Sequence, residues 1–379
     1  MMRIADVAVH ACRLPPTSPW EDATNRVQGL EFIFVELTTD NGLKGSGITY
    51  TVDIGGTAIA TLISDYLAPL VIGMDARNFE AIWTKLNRQA RRLGLGVNSM
   101  AIAAIDIAVW DLIGKAKGEP LYRLLGGARE TIPAYISEIN LSASDTIVDL
   151  VRRIDDYKAR GYRAVKIKIG HDDPGLDIAR ITAVKERLGN GTQLFVDLNQ
   201  KWQPAEAIQK MARLDTFELG WVEEPLLYQD IEGHARLRRS MKTPLALGES
   251  LYSRQQFQAY LAADAVDIVQ ADIAFVGGVT EWLKVAHLAN GYGRRVAPHY
   301  MMELSLSLLC GVSNGFMLED VVGGGLYDLG LIHNRIVPVD GVATPPQTPG
   351  HGLEINWDTV KRHRLTGETV RTSFAGGSK

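Results

Sequence analysis

The sequence predicts an α/β protein built on a (β/α)8 barrel, and three observations carry that prediction. Between residues 131 and 320, eight short runs rich in β-branched and aromatic residues alternate with helical patterns. That is the pattern of parallel strands joined by helices. No GxGxxG follows the first strand of any unit, which counts against the rival architecture, an open doubly wound sheet. At 379 residues the chain exceeds the usual size of one compact domain, so a second unit is expected beside the barrel.

Taken in order, "EFIFVELTTDNGLKGSGITY" holds two strands joined by "DNG", a strong hairpin signal. "NSMAIAAIDIAVWDLIGKAKG" places Ile102, Ile105, Val109 and Leu112 at helical steps, with Asn98 or Ser99 as the expected cap. The Gly126-Gly127 pair closes this block. "TIPAYIS" then opens the alternating region, followed by "RAVKIKIG", "TQLFVDLN", "ELGWVEEP", "TPLALGES", "VDIVQAD", "RRVAPH" and "GFMLED". After about residue 330 the alternation stops and the chain turns Pro- and Gly-rich.

Composition narrows the partners. A hydrophobic share of 46% with 22% charged residues describes an ordinary globular chain. A net charge of −4 gives nucleic acid or an anionic membrane no reason to bind. Cys12 and Cys310 are too few for a disulfide framework, which suits a reducing cytoplasm. The opening residues lack the apolar core of a signal peptide, and no run has the roughly 18 unbroken apolar residues of a membrane span. The expectation is a cytoplasmic, soluble protein.

In a barrel, catalytic groups come from the C-terminal ends of different strands. Those ends carry, in order, Lys166 and Lys168, Asp197 with Asn199, Glu223, Glu249, Asp272, His299 and Glu319. Asp197, Glu223 and Glu249 come from consecutive strands and can converge. An all-oxygen set suits Mg²⁺ first and Mn²⁺ second, whereas zinc recruits His or Cys. Alternation sends Glu224 to the opposite face from Glu223. On "AVKIKIG", Lys166 and Lys168 share one face, and repulsion plus partial burial is expected to lower a lysine pKa toward the range of a general base. Asp272 can fix the tautomer of His299 and leave its other nitrogen free to move a proton.

This set resembles the enolase superfamily, and within it the mandelate racemase subgroup. The matching features are Lys166-x-Lys168, Asp197 with Asn199, Glu223, Glu249, the Asp272/His299 pair and Glu319, and "AIDIAVWDLIGKAKGEPLYRLLGG" resembles the family signature ahead of the barrel. The resemblance implies an α+β capping domain over the barrel, with boundaries at 1–128 (cap), 129–330 (barrel) and 331–379 (a tail returning to the cap). It implies Mg²⁺ on Asp197, Glu223 and Glu249, with Lys168 and His299 as acid/base groups on opposite faces of the substrate α-carbon. Lys166 and a protonated Glu319 would meet carboxylate oxygens. The superfamily pairs a Lys or His base with Mg²⁺ at an ene-diolate. It also suggests a homo-oligomer.

"YQDIEGHARL" and "DIVQADIAFVGGVTEWLKVAHLA" most resemble acid-sugar dehydratases of the galactarate and talarate type. The expected lid is "PTSPWEDATNRVQG" with "GITYTVDIGG", where Trp20, Arg26 and Tyr50, together with Asn199, are placed as substrate contacts. Arg26 is the only basic residue in either loop, with Arg91 and Arg92 as substitutes, so a diacid and a monoacid both stay open. Dehydration of a sugar acid and racemisation or epimerisation of a 2-hydroxy acid stay open too, since both use the same pair of bases. A protein that keeps the barrel without catalysis would have lost a base or a ligand, and no such loss is visible. Cycloisomerases and dipeptide epimerases are set aside, because they generally carry a lysine where Asp272 and His299 stand.

Overall fold

The computed structural model describes residues 2–142, 144–365 and 370–373. Strands β1 (Ile4–Leu14), β2 (Leu30–Thr39) and β3 (Lys44–Val52) form an antiparallel sheet. The Asp40-Asn41-Gly42 link makes the β2–β3 turn, with Gly42 at φ 82. Helix Val97–Lys117 packs on β3 so closely that glycine is required there. A Cβ on Gly47 would lie 2.0 Å from the Ala104 carbonyl oxygen. By length and composition this helix could cross a membrane, but 94% of its apolar window is buried in the protein, so it is a core helix. It starts after Gly96 without a side-chain cap. Asn98 sits inside the first turn, its amide donating to the Ala90 carbonyl at 2.9 Å.

Eight parallel strands follow: β4 (Ile132–Ser137), β5 (Ala164–Lys168), β6 (Gln193–Asp197), β7 (Trp221–Glu223), β8 (Leu245–Leu247), β9 (Ile268–Val269), β10 (Arg295–Val296) and β11 (Leu318–Val321). Each pairs with the next from β4 to β10, and β11 returns to pair with β4. A parallel bridge between Val296 and Gly315 joins the remaining edges. Helices connect each strand to its successor. After β11 the described chain holds turns and one short strand before helix Trp357–Arg362, so the eighth strand has no helix of its own directly behind it. Past the barrel, Val342–Ala343 pairs with β4, and Val370–Ser373 pairs with β1 of the antiparallel sheet.

The period-two geometry of strands sets what the barrel presents at its mouth. Val165, Ile167 and Ile169 of the β5 region face outward and bury against Ile154 and Ile181 of the flanking helices. Inside lies a layer formed by Tyr135, Ala164, Phe195 and Trp221 from the first four strands, and Ala246, Ile268, Ala297 and Met317 from the last four. Phe195 and Trp221 stack at 3.5 Å with Tyr135 edge-on to both, closing the barrel floor. Two residues further along the same strands, the inward positions are Ser137, Lys166, Asp197, Glu223, Gly248, Gln270, His299 and Glu319. The apolar floor therefore lifts a ring of polar groups to the C-terminal mouth.

Candidate active site

Strand register places the ligands side by side. Lys168 is the pairing partner of Asp197, and Asp197 is that of Glu223. Asp197, Glu223 and Glu249 each offer an oxygen within 4.8 Å of the others. Burial, followed by the Asp197 charge, pushes the Glu223 carboxyl up to about 8, and burial raises Glu249 as well. Asp197 is buried too, yet Lys168 and Lys166 outweigh that and hold it well below the usual carboxylate range. A buried, all-oxygen trio that is strained as anions fits a hard divalent cation.

The lysines are committed to these acids. Lys166 Nζ bonds Glu223, reaches Glu319 at 2.8 Å and lies 3.4 Å from Asp197. Lys168 Nζ lies 2.5 Å from Asp197. Burial alone would lower both ammonium pKa values, but Glu223 and Glu319 around Lys166, and Asp197 beside Lys168, raise them instead. The shift expected from lysine–lysine repulsion is therefore reversed, because opposite charges stand nearer than the like one. A cation on Asp197 would oppose that pull. Glu319 also departs from expectation. Burial raises it, but Lys166 and then His299 outweigh burial, helped by the Tyr300 N–H at 2.8 Å, and bring it down to about 2, the opposite direction from the one a protonated carboxyl needs.

Across the mouth, Asp272 accepts from His299 Nδ1 at 2.8 Å and from the Ala274 N–H at 2.7 Å. His299 Nε2 stands 3.6 Å from Glu249. Burial would lower the imidazole pKa, but Glu249 and Asp272 outweigh it and push it up to about 10. A cavity of about 660 Å³ opens above these groups, lined by Lys166, Lys168, Asn199, Glu249, His299 and Glu319. Asn199 holds a left-handed backbone at φ 42, and its buried Oδ1 has no protein partner.

Residues 5–126 match the mandelate racemase/muconate lactonizing enzyme N-terminal domain, and residues 149–359 match the enolase C-terminal domain-like family. The chain belongs to the mandelate racemase/muconate lactonizing enzyme family. Among its relatives, 3,6-anhydro-alpha-L-galactonate cycloisomerase of Streptomyces coelicolor is 33% identical over 92% of this chain and 96% of the relative. L-talarate/galactarate dehydratase of Salmonella typhimurium is 36% identical over 81% of this chain and 78% of its own length. The crystal structure of L-talarate dehydratase from Polaromonas sp. JS666, complexed with Mg and L-glucarate, superposes with TM-score 0.92 at 33% identity, covering 98% of this chain and 100% of the other. Mg²⁺ is the cofactor for which this family site is built. A cycloisomerase and a dipeptide epimerase, the two classes that the sequence reading set aside, are both among the relatives, so membership of the family does not separate elimination from these reactions.

The lid departs most from its sequence reading. Trp20 lines the cavity, edge-on to Tyr300 at 5.9 Å. Arg26 does not line it. Its side chain is 74% exposed and lies 3.9 Å from Glu21. Residues 20–27 fold as a small hairpin in which Glu21 bridges Arg26, and alternation turns Val27 to the cavity and Arg26 to solvent. Arg91 and Arg92 line a separate cleft. "GITYTVDIGG" is mostly β3, and its Tyr50, Val52, Asp53 and Ile54 line the cavity. Glu224 faces the cavity rather than away from it, because its backbone at φ 38 breaks the alternation. It accepts from Gln200 Nε2 at 2.8 Å.

Gln270 was not among the expected residues. Its Nε2 donates to Glu223 Oε2 at 2.7 Å, the oxygen that also accepts from Trp221 Nε1 at 3.0 Å. The signal was available in "DIVQAD", where Gln270 stands midway between inward Ile268 and Asp272. Tyr50 lines the cavity and also supports the bases: its hydroxyl donates to Asp272 Oδ2 at 2.7 Å and its ring stacks on Phe275 at 4.8 Å. Tyr50→Phe keeps the ring and removes one bond to a buried carboxylate, so His299-dependent proton transfer should fall by about tenfold. Epimer-specific deuterium exchange checks this, and transfer that depends on Lys168 should change far less.

Proposed function

We propose that the protein dehydrates a sugar acid, an aldarate or an aldonate, to a 2-keto-3-deoxy acid. The observation that carries this reading is that two titratable nitrogens flank one carboxylate set: Lys168 on Asp197 and His299 beside Glu249. Mg²⁺ held by Asp197, Glu223 and Glu249 supplies positive charge where an ene-diolate concentrates negative charge. Lys166 adds a fixed ammonium on the same side. Lys168 or His299, according to the configuration at C2, takes the α-proton. The electron pair left behind expels the β-hydroxyl, and protonated His299 gives that oxygen a proton so that it leaves as water. The enol then tautomerises to the keto acid. The relatives that are dehydratases support this, as does the polar lid of Thr24 and Asn25 beside Asn199.

The second reading, epimerisation of a 2-hydroxy acid, rests on the same two nitrogens working in turn. Incubating the Mg²⁺-loaded protein with galactarate, glucarate, talarate and common aldonates should yield an α-keto acid, detected as its semicarbazone. Inverted starting material without keto acid across the whole panel would favour the epimerase.

A further inference from the structure

The wall that the cap adds to the cavity differs in chemistry from the floor. We infer that this site takes monocarboxylic sugar acids, aldonates with an uncharged far end, and discriminates against aldarates; the inference rests on the sugar-acid reading above. Among the described residues lining the cavity, the cations are Lys166, Lys168 and His299, all at the metal end and all engaged with carboxylates. The cap wall contributes Glu21, Asp22 and Asp53. Arg13 and Arg26 turn to these acids, Arg13 3.6 Å from Asp53 and Arg26 3.9 Å from Glu21, and neither lines the cavity.

A carboxylate is an acceptor only and needs donors or a cation when it leaves water. The cap wall's side-chain donors are neutral and partly spent within it. Thr24 Oγ1 donates to Asp22 at 2.9 Å, and Asn25 Nδ2 gives one of its two hydrogens to Thr24 Oγ1 at 2.8 Å. Trp20 Nε1 is buried without a partner and adds a single neutral N–H. The rest of that wall is carbon from Val27, Val52 and Ile54, and Leu227 and Phe275 of the barrel line the same cavity. A second carboxylate would meet Asp22 and the arginine-paired Glu21 and Asp53 here, with no cation on the cavity side of the wall. A terminal CH₂OH can donate to the carboxylate oxygens and rest its methylene on the apolar surface. The wall is also built in advance. Asp22 Oδ1 accepts from the Thr24 and Asn25 N–H groups at 2.7 Å, and Asp53 Oδ1 accepts from those of Gln28 and Gly29 at 2.8 Å.

The test uses matched pairs that differ only at C6, galactonate with galactarate and gluconate with glucarate, on the Mg²⁺-loaded protein. Loss of the C2–H signal in D₂O, keto acid formation and Mg²⁺-dependent binding by calorimetry are read together. The best monoacid should exceed its own diacid by about a hundredfold in kcat/KM. Ile54→Arg puts a cation on the wall at a position that is 78% exposed, where the fold tolerates it, and should raise the diacid-to-monoacid ratio of kcat/KM by about tenfold. A diacid processed as well as its monoacid partner, or an unmoved ratio in Ile54→Arg, overturns the inference while the sugar-acid reading stands. Monoacid-selective C2–H exchange without keto acid overturns dehydration and leaves the inference intact. Binding of neither class overturns both.

Discussion

Lys168→Ala and His299→Asn are expected to abolish opposite halves of one activity. Each variant should lose exchange of the α-proton from one C2 epimer, by about 10²- to 10⁴-fold, the usual contribution of a positioned acid or base. Exchange from the other epimer should persist in each. The reason is geometric: the two nitrogens reach the cavity from β5 and β10, strands that do not pair with each other, and touch different acids of the carboxylate set. The His299 change leaves Asp272 bonded to Tyr50 and the Ala274 N–H, so the neighbouring structure keeps its anchors. Deuterium exchange followed by NMR, with bound Mg²⁺ verified in each variant, reads the result. Loss of both exchanges in each single variant would argue against independent faces.

Metal removal should have the second large effect. A sample stripped with EDTA should be inactive and Mg²⁺ should restore it, because among the described residues Asp197, Glu223 and Glu249 are the one group of acids that converges closely enough to hold a divalent ion. Glu223→Gln should weaken Mg²⁺ by more than about a hundredfold in titration calorimetry. The barrel should stay folded, since the amide is nearly isosteric and sits above the stacked Phe195/Trp221 floor. Full activity of a stripped sample, checked by elemental analysis, would remove the metal from the account. Unchanged affinity in Glu223→Gln would place the metal elsewhere.

What could be seen in the sequence follows the period of two. Phe195 to Asp197, Trp221 to Glu223 and Met317 to Glu319 are each one inward step along a strand, so a strand assignment was enough to bring these three acids together, whereas Glu249 stands one position beyond the inward Gly248. Gln270 obeyed the same rule and was passed over because an uncharged side chain gives no charge signal. Glu224 broke the rule through a left-handed backbone that nothing in "WVEEPLL" announces. Tyr50 and Arg26 depended on facts of another kind. Tyr50 aims at Asp272, 222 positions away in the chain, which only docking of cap on barrel decides. Arg26 is turned outward by a hairpin hidden within an apparent loop. The lysine pKa values reversed because spacing along a strand reports the neighbouring ammonium, whereas the fold brings Glu223, Glu319 and Asp197 nearer.

The central claim is that Lys168 and His299 move the α-proton of a carboxylate held beside Mg²⁺. It is tested most directly by the C2–H signal of aldonates and aldarates in D₂O, with the wild-type protein and with Lys168→Ala/His299→Asn, each with and without Mg²⁺. The account predicts that at least one acid loses its C2–H with the Mg²⁺-loaded wild type and keeps it with the double variant or without the metal. Retention of C2–H by every acid on Mg²⁺-loaded wild type, or its loss at an undiminished rate with the double variant, would contradict it.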